Sequence, residues 1–379
     1  MSLFLIVAMI TSVSTQQSLQ AYIWTRQSLS SSSSAYSFSS SFLSQPKLGR
    51  RNKTRRTPKH ISEKETTPNQ QRTRPVVTPQ DFAGLQLLQS PNDPLYAWGT
   101  WDEAPIVIES HKVLLFTIPK NGCTVWKQLA RRMYGYQRWQ AHDEYVPHHP
   151  ASNGLNYLYH YPPADAERML TDPSWTRAIF LRNPKERLLS AYLDKAVKEN
   201  GKYIRAHCCH DPNGNMSLHM LLQCHVSNEK LARQRNEKNN NNEEPLISFV
   251  DFLTKLVPQC SDPHWRPQAQ RVPEKYWPYM NFVGHMDRIE QDARALLERV
   301  GAWQAYGATG WGEGDSDADK KGNNDGAIFA GATTVAHATN AHQQVSAYYT
   351  SSALIRLAEQ LHSQDYELFS KLKTASQQS

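Results

Sequence analysis

From Lys112 onward, short apolar runs alternate with stretches whose apolar positions recur three and four residues apart. Lys112 to Ile118 predicts a buried strand and Thr124 to Tyr134 a helix. Arg177 to Leu181 predicts a second short strand, followed by a helix from Lys185 to about Lys198. Phe249 to Leu256 is apolar at helical spacing, and Met280 to Val283 predicts a third strand. Asp287 to Val300 and Ser351 to Leu372 predict amphipathic helices; in the latter, Leu354, Leu357, Ala358, Leu361 and Tyr366 share a face. Strands alternating with helices predict an α/β fold, a central parallel sheet with flanking helices. Ligands of such sheets bind beyond the carboxyl ends of the strands, where the turns after Ile118 and Leu181 fall.

Upstream this pattern is absent. Residues 27–80 are Ser-rich, then rich in Arg, Lys, Thr and Pro, and read as a disordered stem. Residues 1–26 read as a signal peptide or short membrane anchor. The apolar run from Leu3 to Ile10 is shorter than the ~20 residues of a membrane span, and no basic residue precedes it. A transit peptide is the rival reading. The folded domain is expected over 81–375, with surface insertions near 228–245 and 304–332. The second contains DSDADKKGNND, which lacks the sixth-place glycine and twelfth-place glutamate of a calcium loop and reads as linker.

The net charge of +7 resides in the stem, where ten Lys or Arg between Lys47 and Arg74 face only Glu63 and Glu65. The folded part is slightly acidic, which argues against duplex nucleic acid as a partner. Of five cysteines, Cys208, Cys209, Cys224 and Cys260 cluster, open to any of three disulfide pairings. A zinc site from CCH at 208–210 and CH at 224–225 is the weaker alternative, because adjacent cysteines suit a tetrahedral site poorly. Two sequons, at Asn52 and Asn215, fit a secretory route.

The turn after Ile118 reads Pro119-Lys120-Asn121-Gly122-Cys123-Thr124. Gly122 allows close backbone approach, the amides of Cys123, Thr124 and Val125 open a helix, and Lys120 and Thr124 add a charge and a hydroxyl. That is an anion cradle. It is not the nucleotide-kinase loop: no Gly-Lys-Ser/Thr follows, and no carboxylate for magnesium can be placed. The turn after Leu181 supplies Arg182, with Ser190 roughly two helical turns on, a second phosphate grip. Arg187 and Lys195 read as solvated charges. Two grips predict a ligand with two separated phosphates.

IPKNGCTVWKQL and FLRNPKERLLSAYLDK resemble the two cofactor motifs of the Golgi carbohydrate sulfotransferases, the chondroitin and dermatan group. DPHWRPQ (Asp262 to Gln268), NFVGHMDRIEQDA (Asn281 to Ala293) and the stretch from His337 to Phe369 resemble later family segments in the same order. The resemblance implies 3′-phosphoadenosine 5′-phosphosulfate (PAPS) as donor. Lys120, Asn121, Gly122, Cys123, Thr124 and Val125 would hold its 5′-phosphosulfate, and Arg182 and Ser190 its 3′-phosphate. It also implies a glycan acceptor, no metal, and a lumenal Golgi location with membrane attachment through the N-terminal segment. Many members carry Asp where this chain has Asn183.

Sulfuryl transfer needs a charge beside the leaving phosphate, for which Lys120 is expected, and a base for the acceptor hydroxyl. His264 is the first choice, with Trp265 and Arg266 expected to shape a sugar site; His160 is the second. The rivals are transfer to a non-glycan hydroxyl and a non-catalytic glycan-binding protein that keeps the fold.

Overall fold

A computed structural model of the chain describes residues 70–98, 104–137, 139, 148–199, 201–208, 247–308 and 339–377. All lie in one unit, Lys64–Ser379. The segment 1–26, the stem to residue 69, both sequons, Cys209, Cys224, the insertion near 228–245 and residues 309–332 of the second insertion lie outside the described residues. Gln71 donates to the carbonyls of Pro150 and Leu155, at 2.7 and 3.1 Å, so the folded part reaches back into the last decade assigned to the stem. Among the described residues no helix is long and apolar enough to cross a membrane.

The sheet has four strands in sequential order: β1 (Ile106–Ile108), β2 (Val113–Phe116), β3 (Thr176–Leu181) and β4 (Phe282–His285). β2, β3 and β4 are parallel, as expected, with Leu115 beside Ala178 and Ala178 beside Phe282. β1 pairs antiparallel to β2 and was not predicted, because three residues leave no periodicity to read. Every residue of β2 and β3 is buried, the pattern of strands covered on both faces.

Helix α1 (Cys123–Met133) leaves β2, α2 (Pro163–Thr171) precedes β3, and α3 (Pro184–Ala191) leaves β3. The chain then runs through a π-helical segment, Tyr192–Lys198, into α4 (Lys202–Cys208). Short helical turns from Phe249–Asp251 to Val257–Gln259 follow, and α5 (Ile289–Arg299) leaves β4. At the end come α6 (Ala341–Tyr348), α7 (Ser352–Leu361) and α8 (Ser363–Gln377). The single helix predicted from Ser351 to Leu372 is therefore two. The break is at His362, whose buried ring meets the equally buried Asp365 at 3.0 Å.

Two apolar clusters hold these elements. One packs the sheet against α1, α2 and α5 through residues such as Leu114, Ile179, Trp126, Leu170 and Leu296. The other gathers Leu188, Tyr192, Phe252, Trp265 and Ala358. Trp265, expected at a sugar site, is instead core: its indole N–H donates to the carbonyl of Cys260 at 2.6 Å. Cys208 and Cys260 form a disulfide, which realises one of the open pairings and removes Cys208 from any zinc set.

Candidate active site

The loops after β2 and β3 leave neighbouring parallel strands at the same end of the sheet. Gly122 caps α1 at φ +72°, in the left-handed region a glycine enters without a Cβ clash. Lys120 occupies the same region at φ +71°, a local strain of about 1–3 kcal/mol that concentrates at functional sites. The first-turn amides of α1 have no intrahelical acceptor and carry the positive end of the helix dipole. The strand, glycine turn and helix start expected from the sequence are present, with Lys120 two residues before the helix cap.

The Lys120 ammonium is 3.0 Å from Asp194 Oδ2, and its side chain is only 7% exposed. Burial pushes its pKa down, against the attraction of Asp194, with Lys195 adding to the depression. Lys195 is itself buried, 3.4 Å from Asp194, 2.5 Å from Glu199 and over the Tyr203 ring. The reading of Lys195 as a solvated charge is therefore corrected, and that of Arg187 likewise. Arg187 is 1% exposed because α3 is wedged between core and loops, so its polar face meets main-chain carbonyls instead of water.

In the second loop, Arg182 donates to the carbonyl of Lys120 at 3.1 Å and reaches Glu186 at 3.4 Å. Ser190 is buried and shares a 2.9 Å hydrogen bond with Thr339. No direct bond joins Arg182 to Ser190 among the described residues. Asn183 caps α3 by accepting from the Lys185 amide at 3.0 Å. Asn121 turns inward, donating to the Phe180 carbonyl at 2.9 Å and to Gln268 Oε1 at 2.6 Å. Its main-chain N–H donates to the Ile118 carbonyl at 3.1 Å, so Asn121 is engaged within the turn by both side chain and backbone. The Thr124 hydroxyl is 3.0 Å from His148 Nε2, while Val125 is buried beneath the cradle.

His264 is linked to the lysines through side chains: it stands 3.1 Å from the Tyr203 hydroxyl, Lys195 lies over the Tyr203 ring, and Lys195 shares Asp194 with Lys120. Its Nδ1 is 2.7 Å from Asp262 Oδ1, and the same oxygen accepts its backbone N–H at 2.8 Å. With a carboxylate at that distance the proton sits on Nδ1, and Nε2 carries the lone pair. Burial would raise the Asp262 pKa, but its hydrogen bonds and the charge at His264 hold it below the ordinary range. Burial lowers the His264 pKa, Asp262 opposes this, and Lys195 and Lys120 reinforce it. Tyr203 donates to Asp262 Oδ2 at 2.9 Å and stands 3.1 Å from His264 Nδ1.

His160 is elsewhere. Its Nδ1 accepts from the Tyr157 amide at 3.2 Å, the ring packs edge-on against Tyr159, and burial and Arg74 push its pKa down to about 4. It is a capping residue of the core. The sequence reading missed Asp194, Asp262 and Tyr203. Asp262 alone had a local signal, its two-residue spacing from His264. Among the described residues, no group of three or more His, Cys, Asp or Glu is placed to hold a metal ion.

The family model described as the sulfotransferase family matches residues 104–371. Carbohydrate sulfotransferase 9 of Homo sapiens is 27% identical over 204 residues, covering 52% of this chain and 40% of that protein. Carbohydrate sulfotransferase 14 of Danio rerio is 26% identical over 199 residues, covering 52% and 48%. Carbohydrate sulfotransferase 10 of Homo sapiens is 33% identical over 210 residues, covering 52% of each. The chain spans about half the length of the curated relatives it matches. No solved structure matches significantly.

Proposed function

The chain belongs to the sulfotransferase family over residues 104–371, and from that premise we propose that it moves the sulfuryl group of PAPS to a hydroxyl of a carbohydrate. The donor set suits two phosphates: a lysine at a helix N-terminus and an arginine on the next strand's loop, both poor in bulk solvent. Lys120, the amides of Cys123 to Val125 and the Thr124 hydroxyl would hold the 5′-phosphosulfate. Arg182 and Ser190 would hold the 3′-phosphate. When bound, PAPS supplies an activated sulfuryl group and a phosphate leaving group.

The chain's own residues do the rest. Lys120 offsets charge that develops on the leaving oxygen, in a site where low exposure strengthens that interaction. Asp194 keeps the ammonium charged and oriented against the burial that would neutralise it. His264 takes the acceptor's proton at Nε2, and Asp262 fixes the tautomer and steadies the imidazolium that results. Tyr203 holds Asp262 from its other oxygen.

The single observation that carries this reading is the Asp262–His264 pair joined to Lys120 by one chain of side chains, through Tyr203, Lys195 and Asp194. The disulfide supports a lumenal, oxidising compartment, in line with a Golgi enzyme. The printed names of the relatives support a glycan acceptor. Sulfate transfer from labelled PAPS across a glycan panel, with calorimetry of adenosine 3′,5′-bisphosphate, tests the proposal. Preference for ATP with magnesium over the bisphosphate would overturn it.

A further inference from the structure

Arg187 is a charge with no carboxylate in direct contact among the described residues. It is almost wholly buried. Its pKa is pushed down to about 10 by burial, with Asp365 the main opposing charge. Burying an unpaired guanidinium costs several kcal/mol, and α3 could have filled this place with another leucine like Leu188 and Leu189. The cost makes sense only if the planar fork does something an apolar side chain cannot.

Its three bonds show what that is. Nε donates to the Pro119 carbonyl at 3.0 Å, Nη2 to the Pro263 carbonyl at 2.8 Å, and Nη1 to the Arg266 carbonyl at 2.7 Å. The Pro119 carbonyl belongs to the peptide unit whose nitrogen is that of Lys120. The Pro263 carbonyl belongs to the peptide unit whose nitrogen is that of His264. One guanidinium therefore fixes the peptide plane immediately before each of the two reacting side chains. Neither segment is a regular helix or strand, so neither plane is fixed by a backbone ladder. Gln268 adds a second tie: its Oε1 accepts from the Arg182 amide at 2.9 Å and from Asn121, and its Nε2 donates to the Arg182 carbonyl at 2.7 Å.

We propose that Arg187 is a positioning residue that sets the distance between Lys120 and His264, so that the donor cradle and the base are held as one unit. This rests on the sulfuryl-transfer reading above. Lysine cannot replace it, because a single ammonium cannot span three carbonyls held in a fixed fork.

The test compares full-length wild type with Arg187→Lys. Expected are a fall in kcat of ~100-fold, as misplacement by about an ångström produces, an acceptor KM near that of wild type, and weaker bisphosphate binding. A merely structural role would lower the melting temperature and leave the kcat of folded protein unchanged, and that result overturns the proposal. Hydrogen exchange on the wild type gives a measure that needs no variant. Bisphosphate should slow exchange in residues 119–125 and also in 262–268, and slowing confined to 119–125 counts against the tie. Wild type that fails to bind bisphosphate overturns the sulfuryl-transfer reading and this inference with it. Wild type that binds and transfers, beside an unchanged R187K protein, overturns this inference alone.

Discussion

The Lys120 cradle and the Asp262–Gln268 segment are built by opposite means. The cradle is backbone work: a buried parallel strand, a glycine in the left-handed region, and a helix whose first amides point out of the turn. The His264 segment lies between a helical turn that ends at Gln259 and a short 3-10 helix that begins at Gln268. It is held by side chains from elsewhere: Tyr203 on Asp262, Arg187 on two carbonyls, and Asp365 on the Ala269 amide at 2.8 Å. A cradle built from backbone should tolerate changes to its neighbours other than Arg187, which holds its Pro119 carbonyl. A segment built from buried polar contacts should fail when any one of them is removed, because the partner left behind is unsatisfied.

The sharpest way to separate the two is His264→Ala. Transfer should fall by ~10²–10⁴-fold, the usual worth of a general base, while calorimetry shows bisphosphate affinity unchanged. Loss of bisphosphate binding would mean that the two regions are not separable as described. Lys120→Ala should lower kcat by ~10²–10³-fold, with a smaller effect on bisphosphate affinity, since the charge it meets develops in the transition state. Arg182→Ala should do the reverse, weakening bisphosphate binding ~tenfold or more, the scale of a charged hydrogen bond, with kcat at saturating donor largely kept. Equal affinity losses from K120A and R182A would contradict this division.

A pH profile sharpens the same contrast. The base must be neutral to act, and burial, reinforced by Lys195 and Lys120, holds the His264 pKa below its ordinary ~6.5. The acidic limb of kcat/KM should therefore lie below pH ~6.5. Asp262 pulls that pKa upward, so Asp262→Asn should move the limb further acid while lowering the rate. A limb that moves up would show that another group titrates. The smallest effect is expected in the second loop. Asn183→Ala should cost ~1 kcal/mol of stability by removing the α3 cap, whereas Asn183→Asp, which keeps an oxygen to accept from the Lys185 amide, should be nearly neutral in denaturant unfolding.

The same contrast explains what was legible in the chain. The turns that carry Lys120, Gly122 and Arg182 could be placed because strand, glycine turn and helix are local signals, each spelled within a few residues. Tyr203 could not, since the contact that matters spans 61 residues to His264. Arg187 and Lys195 were misjudged because charged positions on a helix ordinarily face water, and nothing local shows that two apolar clusters and a loop enclose this one. Trp265 erred in the other direction: beside a histidine and an arginine it looks like a sugar platform, but its ring completes the second apolar cluster. The break at His362 was invisible because the apolar spacing runs through it unchanged.

The disulfide between Cys208 and Cys260 has a consequence for how this protein can vary. It ties the end of the helix that carries Tyr203 to the residue two places before Asp262, across a sequence separation of 52. Closing a loop of that length restrains the unfolded chain by about 4 kcal/mol in the chain-entropy account. More tellingly, it makes the chain between residue 209 and Ile247 dispensable as a route, while Phe249 to Leu256 stay bound by their place in the second apolar cluster. Lengthening, shortening or even severing 209–246 leaves the tyrosine and the acid joined through sulfur. A lineage is then free to rewrite that stretch, for instance to meet a different acceptor, while the Asp262–His264 pair stays where it is.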